Sequence, residues 1–160
     1  MRHKERMMII TVDTREQLPF SFSAYPEMEV VRGTLKTGDY SVEGYENTIA
    51  IERKNLEDLI GSLTSGRERF EREIERTRDM QYFSVVVEAT MDHIRYHHYR
   101  SHAKPHAMLS SIFALQMRWR VPFVFAGSRE GAEYYVYNTL RLWLREMEKK
   151  GDGRDDYGFG

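Results

Sequence analysis

The sequence predicts an α/β protein, with a mixed central β-sheet flanked by helices on both faces. Three observations carry this. Apolar, β-branched runs such as Ile9-Ile10-Thr11-Val12 and Val85-Val86-Val87 read as buried strands. After residue 54 the apolar period changes, because Leu56, Leu59, Ile60 and Leu63 fall at i, i+3, i+4 and i+7, the stripe of a helix. From there to the last apolar residues, helical and strand patterns alternate, which favours a layered fold over a bundle or a sandwich.

Taken in order, 7–12 is a strand ended by Asp13, and 17–26, with two prolines among aromatics, is irregular. Short strands are predicted at 29–35 and 40–42, joined through Lys36-Thr37-Gly38-Asp39. A turn at 44–47 leads into a strand over 48–53. Asn55 stands at the N-cap position of the helix that follows. Gly66 breaks that helix, and a second is expected over 67–79 with Phe70 and Ile74 inward. Its alternating arginines and acids at i, i+4 spacing describe a solvated face. A strand over 82–88 precedes a short helix over 91–99 capped by Thr90. Pro105 suits a first helical position, and Met108, Leu109, Ile112, Phe113 and Met117 continue that helix's expected stripe. A last strand is expected over 121–126, then a long helix over 128–148 with Ala132, Tyr135, Val136, Leu140, Trp143, Leu144 and Met147 on one side.

The chain has 160 residues, enough for one domain burying roughly 70% of its unfolded surface. Residues 1–148 are expected to form that domain, and the glycine- and charge-rich stretch 149–160 a flexible tail. Hydrophobic content of 41% separates the chain from disordered sequences. There is no cysteine, which excludes disulfides and thiolate zinc sites and suits an intracellular protein. The basic start, Met1 to Arg6, is followed by only a four-residue apolar run, too short for a signal core. No apolar stretch nears the ~20 residues of a membrane span. With 24 basic against 25 acidic residues, a strongly basic coating protein for nucleic acid is excluded. An enzyme that separates its charges locally is not.

The chemistry concentrates at Gly38-Asp39 and Glu52-Arg53-Lys54. A hairpin brings the Asp39 and Glu52 carboxylates together, and strand alternation puts Glu52 and Lys54 on one face. Hard carboxylate oxygens suit Mg²⁺, and an ammonium beside them can orient an attacking water or a phosphate. Asp13, at the end of the first strand, is a third candidate ligand. Each piece alone has a plainer explanation, a turn aspartate or a solvated charge run. What sets this one apart is position, directly after the core residues Ile49-Ala50-Ile51.

Val12-Asp13-Thr14-Arg15-Glu16, Gly38-Asp39-Tyr40, Glu52-Arg53-Lys54 with Asp58, and Ser62-Leu63-Thr64-Ser65-Gly66-Arg67 resemble, in order, the motifs of the XPF-type structure-specific nuclease family. That family includes the archaeal Hef and the Mus-type flap endonucleases. The resemblance implies a restriction-endonuclease-like core, dependence on Mg²⁺ or Mn²⁺, and hydrolysis of DNA at duplex–single-strand junctions such as flaps, forks or nicked crossovers in repair or recombination. It implies Asp13, Asp39 and Glu52 as metal ligands, Lys54 as the catalytic lysine, and Arg15, Glu16, Arg53, Asp58 and Arg67 around them. The intact motif implies an active rather than a non-catalytic subunit, and a homodimer or heterodimer through the C-terminal helices. Two departures are Glu71, where the family usually has glutamine, and the lack of the family's tandem helix-hairpin-helix modules, which leaves junction selectivity open.

Residues 93–106 hold five of the six histidines, with His93 and His97 at i, i+4 spacing. Arg95, Tyr96, Tyr99, Arg100 and Lys104 lie in the same stretch and are candidate DNA contacts, cations for phosphates and rings for unpaired bases. An unremarkable solvated loop fits these residues equally well. Three functions follow: a junction-directed endonuclease, a less selective nuclease of the same fold, and a non-catalytic DNA-binding or scaffold subunit.

Overall fold

A computed structural model describes residues 7–151. The basic start at 1–6 and residues 152–160 of the expected tail lie outside the described residues. Six strands form one mixed sheet in the order β2-β1-β3-β4-β5-β6. They are β1 (Met8–Asp13), β2 (Met28–Gly33), β3 (Tyr40–Val42), β4 (Ile49–Lys54), β5 (Tyr82–Val87) and β6 (Phe123–Phe125). β1 runs parallel to β2 and antiparallel to β3, and β3 is antiparallel to β4. β5 is parallel to β4 and to β6. The sheet therefore gathers Asp13, Asp39, Lys54 and Glu88 at one end.

The strands show which face each residue serves. Ile49 and Ile51 of β4 pack with Val86, Ile10, Val12 and Tyr40 beneath Ala132, Val136 and Leu140 of α5 (Arg129–Gly151). Ala50, Val85 and Val87 face the other way, toward α1 (Leu56–Leu63), α2 (Arg67–Glu75), α3 (Met91–Arg95) and α4 (Pro105–Trp119). This is the predicted two-sided arrangement. Each face buries a contiguous apolar cluster, worth ~25 cal/mol per Å² removed from water.

Caps set several helix ends. The Asn55 side chain accepts the Asp58 amide at 2.8 Å and starts α1 where the sequence predicts. Thr90 and His93 form a reciprocal capping box at α3: the His93 amide donates to Thr90 Oγ1 at 3.2 Å, and the Thr90 amide to His93 Nδ1 at 3.0 Å.

Four expectations are corrected. α2 stops at Glu75 rather than 79, where the Thr77 hydroxyl folds back on the Ile74 carbonyl at 2.6 Å. α3 stops at Arg95 rather than 99, because His97 takes a left-handed φ of 59°. On α4, Phe113 and Met117 are exposed (41% and 76%), and Met108, Ser111, Ile112 and Leu115 form the buried face instead. α5 continues to Gly151, three residues past its expected end.

Candidate active site

Gly38 is the first determinant of the site. Its φ of +91° lies in the region that glycine alone enters freely, and a Cβ there would sit 2.8 Å from the Ala50 Cβ. The missing side chain lets the chain cross closely over β4 and deliver Asp39 beside Glu52. The Asp39 amide donates to the Ile51 carbonyl at 2.9 Å, and the Asp13 amide donates to the Asp39 carbonyl at 2.8 Å. Asp39 Oδ2 in turn accepts the Arg53 amide at 2.8 Å. β3 pairs with β4 only at Tyr40 and Ile51, so the Asp39 side chain stands in for the next rung of the ladder.

Glu52 and Asp39 are both half-buried neighbours, and each bears on the ionisation of the other. Burial is the largest influence and pushes both above their ordinary values. Glu52 is pushed well above, with the neighbouring Asp39 carboxyl adding to the shift. The Lys54 ammonium opposes the shift in both. Lys54 shares the face of Glu52, and its Nζ lies 5.2 Å from the centre of the Phe70 ring. An open cleft of about 350 Å³ begins at Lys54 and is lined by Asp58, Ser62, Ser65, Arg69 and Glu73.

A half-buried carboxyl pair whose ionisation burial opposes suits a divalent cation, whose charge would favour the ionised forms. Hard oxygen donors open to solvent on one side fit Mg²⁺ or Mn²⁺, which keep several waters and need only one or two carboxylates. Among the described residues, no group of three or more His, Asp or Glu side chains is gathered to hold a metal ion.

Asp13 is buried one strand away, with its oxygens already engaged. Oδ2 accepts Arg15 Nε at 2.8 Å and the Arg15 amide at 3.1 Å, while Oδ1 accepts the Leu35 amide at 2.8 Å. Burial acts to raise its pKa, but these donors outweigh that and hold the carboxyl below its ordinary value. These bonds tie Asp13 to Arg15 and Leu35 in the loops beside the site. Arg15 is mostly exposed and close enough to feel the Asp39 and Glu52 charges.

Arg53 points to the opposite face from Glu52. Its Nε and Nη2 donate to Glu16 at 3.0 and 2.8 Å, and Nη1 donates to Glu88 at 2.8 Å. Burial acts to raise Glu16, but the guanidinium holds it below the ordinary glutamate value. Arg129, at the start of α5, lies 3.5 Å from Glu88 and 4.8 Å from the Phe20 ring. Glu88 and Arg129 were not anticipated. Glu88 follows a core strand as Glu52 does, a signal present in the sequence, whereas nothing marked Arg129.

Two other expected site residues lie elsewhere. Arg67 is tied to Ser111 at 2.8 Å and Glu71 at 3.2 Å, at the seam of α2 and α4. Tyr99 is 6% exposed, with its hydroxyl on the Ala103 carbonyl, so its ring belongs to the core. Tyr96 is 61% exposed beneath the Arg95 guanidinium, and Arg100 and Lys104 are also exposed. The Arg100 amide donates to Glu57 in the first turn of α1 at 3.1 Å, which fixes this segment near the Lys54 end of the sheet.

A family model described as the ERCC4 domain matches residues 12–139. The structure of XPF from Aeropyrum pernix is similar, with a TM-score of 0.68, 21% identity and coverage of 90% of this chain and 69% of that one. XPF from Aeropyrum pernix in complex with DNA gives a TM-score of 0.62 and 20% identity, covering 87% and 66%. The chain thus spans about two thirds of the length of the structures it matches. At these identities the likeness establishes the fold, the restriction-endonuclease-like core that the motifs implied. Comparison with curated proteins gives no match.

Proposed function

The chain belongs to the ERCC4 domain family, and from that premise we propose that it is a metal-dependent DNA endonuclease acting at branched or junction DNA. The observation that carries this reading is the Asp39–Glu52 pair, half-buried, raised in pKa and flanked by Lys54. One matched structure is a complex with DNA, which supports DNA as the substrate.

Asp39 and Glu52 would hold Mg²⁺ or Mn²⁺, which when bound would supply charge neutralisation on the phosphoryl oxygens and a more acidic water. Lys54 donates from Nζ to a phosphate oxygen or to the attacking water, and the Phe70 ring keeps that ammonium over the cleft mouth. Asp58 lies in the cleft that receives the substrate. Asp13 and Arg15 fix the neighbouring loops. Arg95, Arg100 and Lys104 neutralise phosphates along the flanking path, and Tyr96 offers a ring to an unpaired base. Exposed Phe113 and Met117 on α4 and Tyr134 and Leu142 on α5 supply apolar surface for a dimer through the later helices.

The test is cleavage of labelled flap, fork, nicked-crossover and plain duplex DNA. Cutting in Mg²⁺ or Mn²⁺, abolished by EDTA and fastest on a branched substrate, is expected. Equal cutting of all four substrates makes the protein a less selective nuclease, and no cutting with either metal returns it to a binding or scaffold role.

A further inference from the structure

Resting on the nuclease reading, we infer that Glu88 and Arg129, outside every motif of the site, are positioning residues for the Asp39–Glu52 pair and act through Arg53. The tip of β4, Glu52 to Lys54, is supported on one edge by β5, where Glu52 pairs with Val85, Arg53 with Val86 and Lys54 with Val87. On its other edge the pairing with β3 ends at Ile51. Beyond that point, the bond from the Arg53 amide to Asp39 Oδ2 at 2.8 Å holds the two carboxylates in register. Whatever fixes Arg53 therefore fixes the distance between the metal-holding groups.

The Arg53 side chain is anchored on the reverse face. Glu16 takes two of its five N–H groups, and Glu88 takes another at 2.8 Å. Two carboxylates on one guanidinium leave an excess negative charge among side chains only 7–12% exposed. Arg129 cancels it from 3.5 Å. The same guanidinium donates to the Leu18 and Pro19 carbonyls at 2.8 and 3.2 Å, tying down the loop that carries Glu16. Both arginines also lie over the Phe20 ring, at 5.7 and 4.8 Å from its centre. The four charges balance, and each belongs to a different element: the loop after β1, β4, the end of β5, and α5. Partners that orient metal-holding carboxylates from behind usually change metal affinity or turnover by ~10–100-fold when removed.

The test compares Glu88→Gln, Arg129→Gln and Arg129→Lys with the wild-type protein, each checked for fold by circular dichroism and thermal melting. Mn²⁺ affinity is measured by calorimetry without DNA, and kcat and KM are measured on the preferred substrate. Glu88→Gln and Arg129→Gln should weaken Mn²⁺ binding and lower kcat about 10-fold or more, with KM for DNA little changed. Arg129→Lys, which restores the charge, should recover most of both. Arg129 is half-exposed, so its variants carry the test if Glu88→Gln fails to fold. Folded variants that match wild-type Mn²⁺ affinity and kcat overturn the inference, as does a fall in melting temperature alone. A wild-type protein that neither binds Mn²⁺ nor cuts DNA overturns the nuclease reading and this inference with it.

Discussion

Two adjacent residues of β4 face opposite sides of the sheet and live under opposite electrostatic regimes. Glu52 shares its face with another carboxyl, and burial and repulsion raise its pKa. Arg53 is buried among carboxylates that complement it, and Glu16 opposite is held below its ordinary value. One face is left short of positive charge and the other is satisfied. Strand alternation keeps the two apart at a distance of one residue. On the proposed reading, a site that takes up a cation uses such a deficit, and the network of Glu16, Arg53, Glu88 and Arg129 behind it is balanced in charge.

The comparison breaks most visibly at Glu52. Glu52→Gln or Asp39→Asn should cut the cleavage rate by about 1,000-fold or more, equivalent to roughly 4 kcal/mol of barrier. The same Glu52→Gln variant should be more stable than wild type in EDTA at neutral pH. A raised folded pKa means the native state keeps a proton that the unfolded chain releases above its ordinary value of 4.5. The resulting cost is absent below that pH and complete above the folded pKa. Denaturant melts at pH 4 and pH 7.5 check this, and an equal gain at both would refute the ionic origin.

On the satisfied face the sign reverses. Arg53→Ala strands Glu16 and Glu88 and should cost about 3–5 kcal/mol of stability. The Glu16 part of that loss is full above its unfolded value of 4.5 and fades as pH falls through the lower folded value. Urea midpoints across that window measure it.

A smaller effect is expected where the two faces are joined. Gly38→Ala forces a β-carbon into positive φ and against Ala50, costing about 1–3 kcal/mol. It should also lower Mn²⁺ affinity, because Asp39 moves with the backbone. Unchanged affinity in calorimetry would separate the turn from the site.

The smallest effect lies away from the strand. Tyr96→Ala should weaken binding of substrates with an unpaired strand by about 1 kcal/mol and leave plain duplex unchanged. Tyr99→Ala should instead lower the melting temperature, since that ring is core. Fluorescence anisotropy and melting curves on both variants tell the two roles apart.

Strand positions, the Asn55 and Thr90 caps and the juxtaposition of Asp39 with Glu52 were legible in sequence, because each depends on local period or on a short loop. The order of the sheet was not. β2 lies outside β1, and the β1–β2 crossover runs through irregular chain instead of a helix. Nor was the engagement of Asp13 by Arg15 and Leu35, since a motif names a carboxylate without saying which donors occupy it. The misplaced α4 stripe has a simple cause. Several phases fit a helix rich in apolar residues, and only packing selects the face that includes Ser111 over the one that includes Met117. Arg129 carried no signal, because its partners lie in segments far away in sequence.

That last separation bears on how the protein comes into being. The bond from Arg129 to the Leu18 carbonyl joins residues 111 positions apart, so it closes one of the longest loops in the molecule. Such contacts are among the slowest to form, since chain entropy must be overcome before they contribute. During synthesis Asp39 and Glu52 emerge well before α5, yet the Arg129 guanidinium behind them arrives with it. The carboxylate pair reaches these surroundings only once the start of α5 has been made.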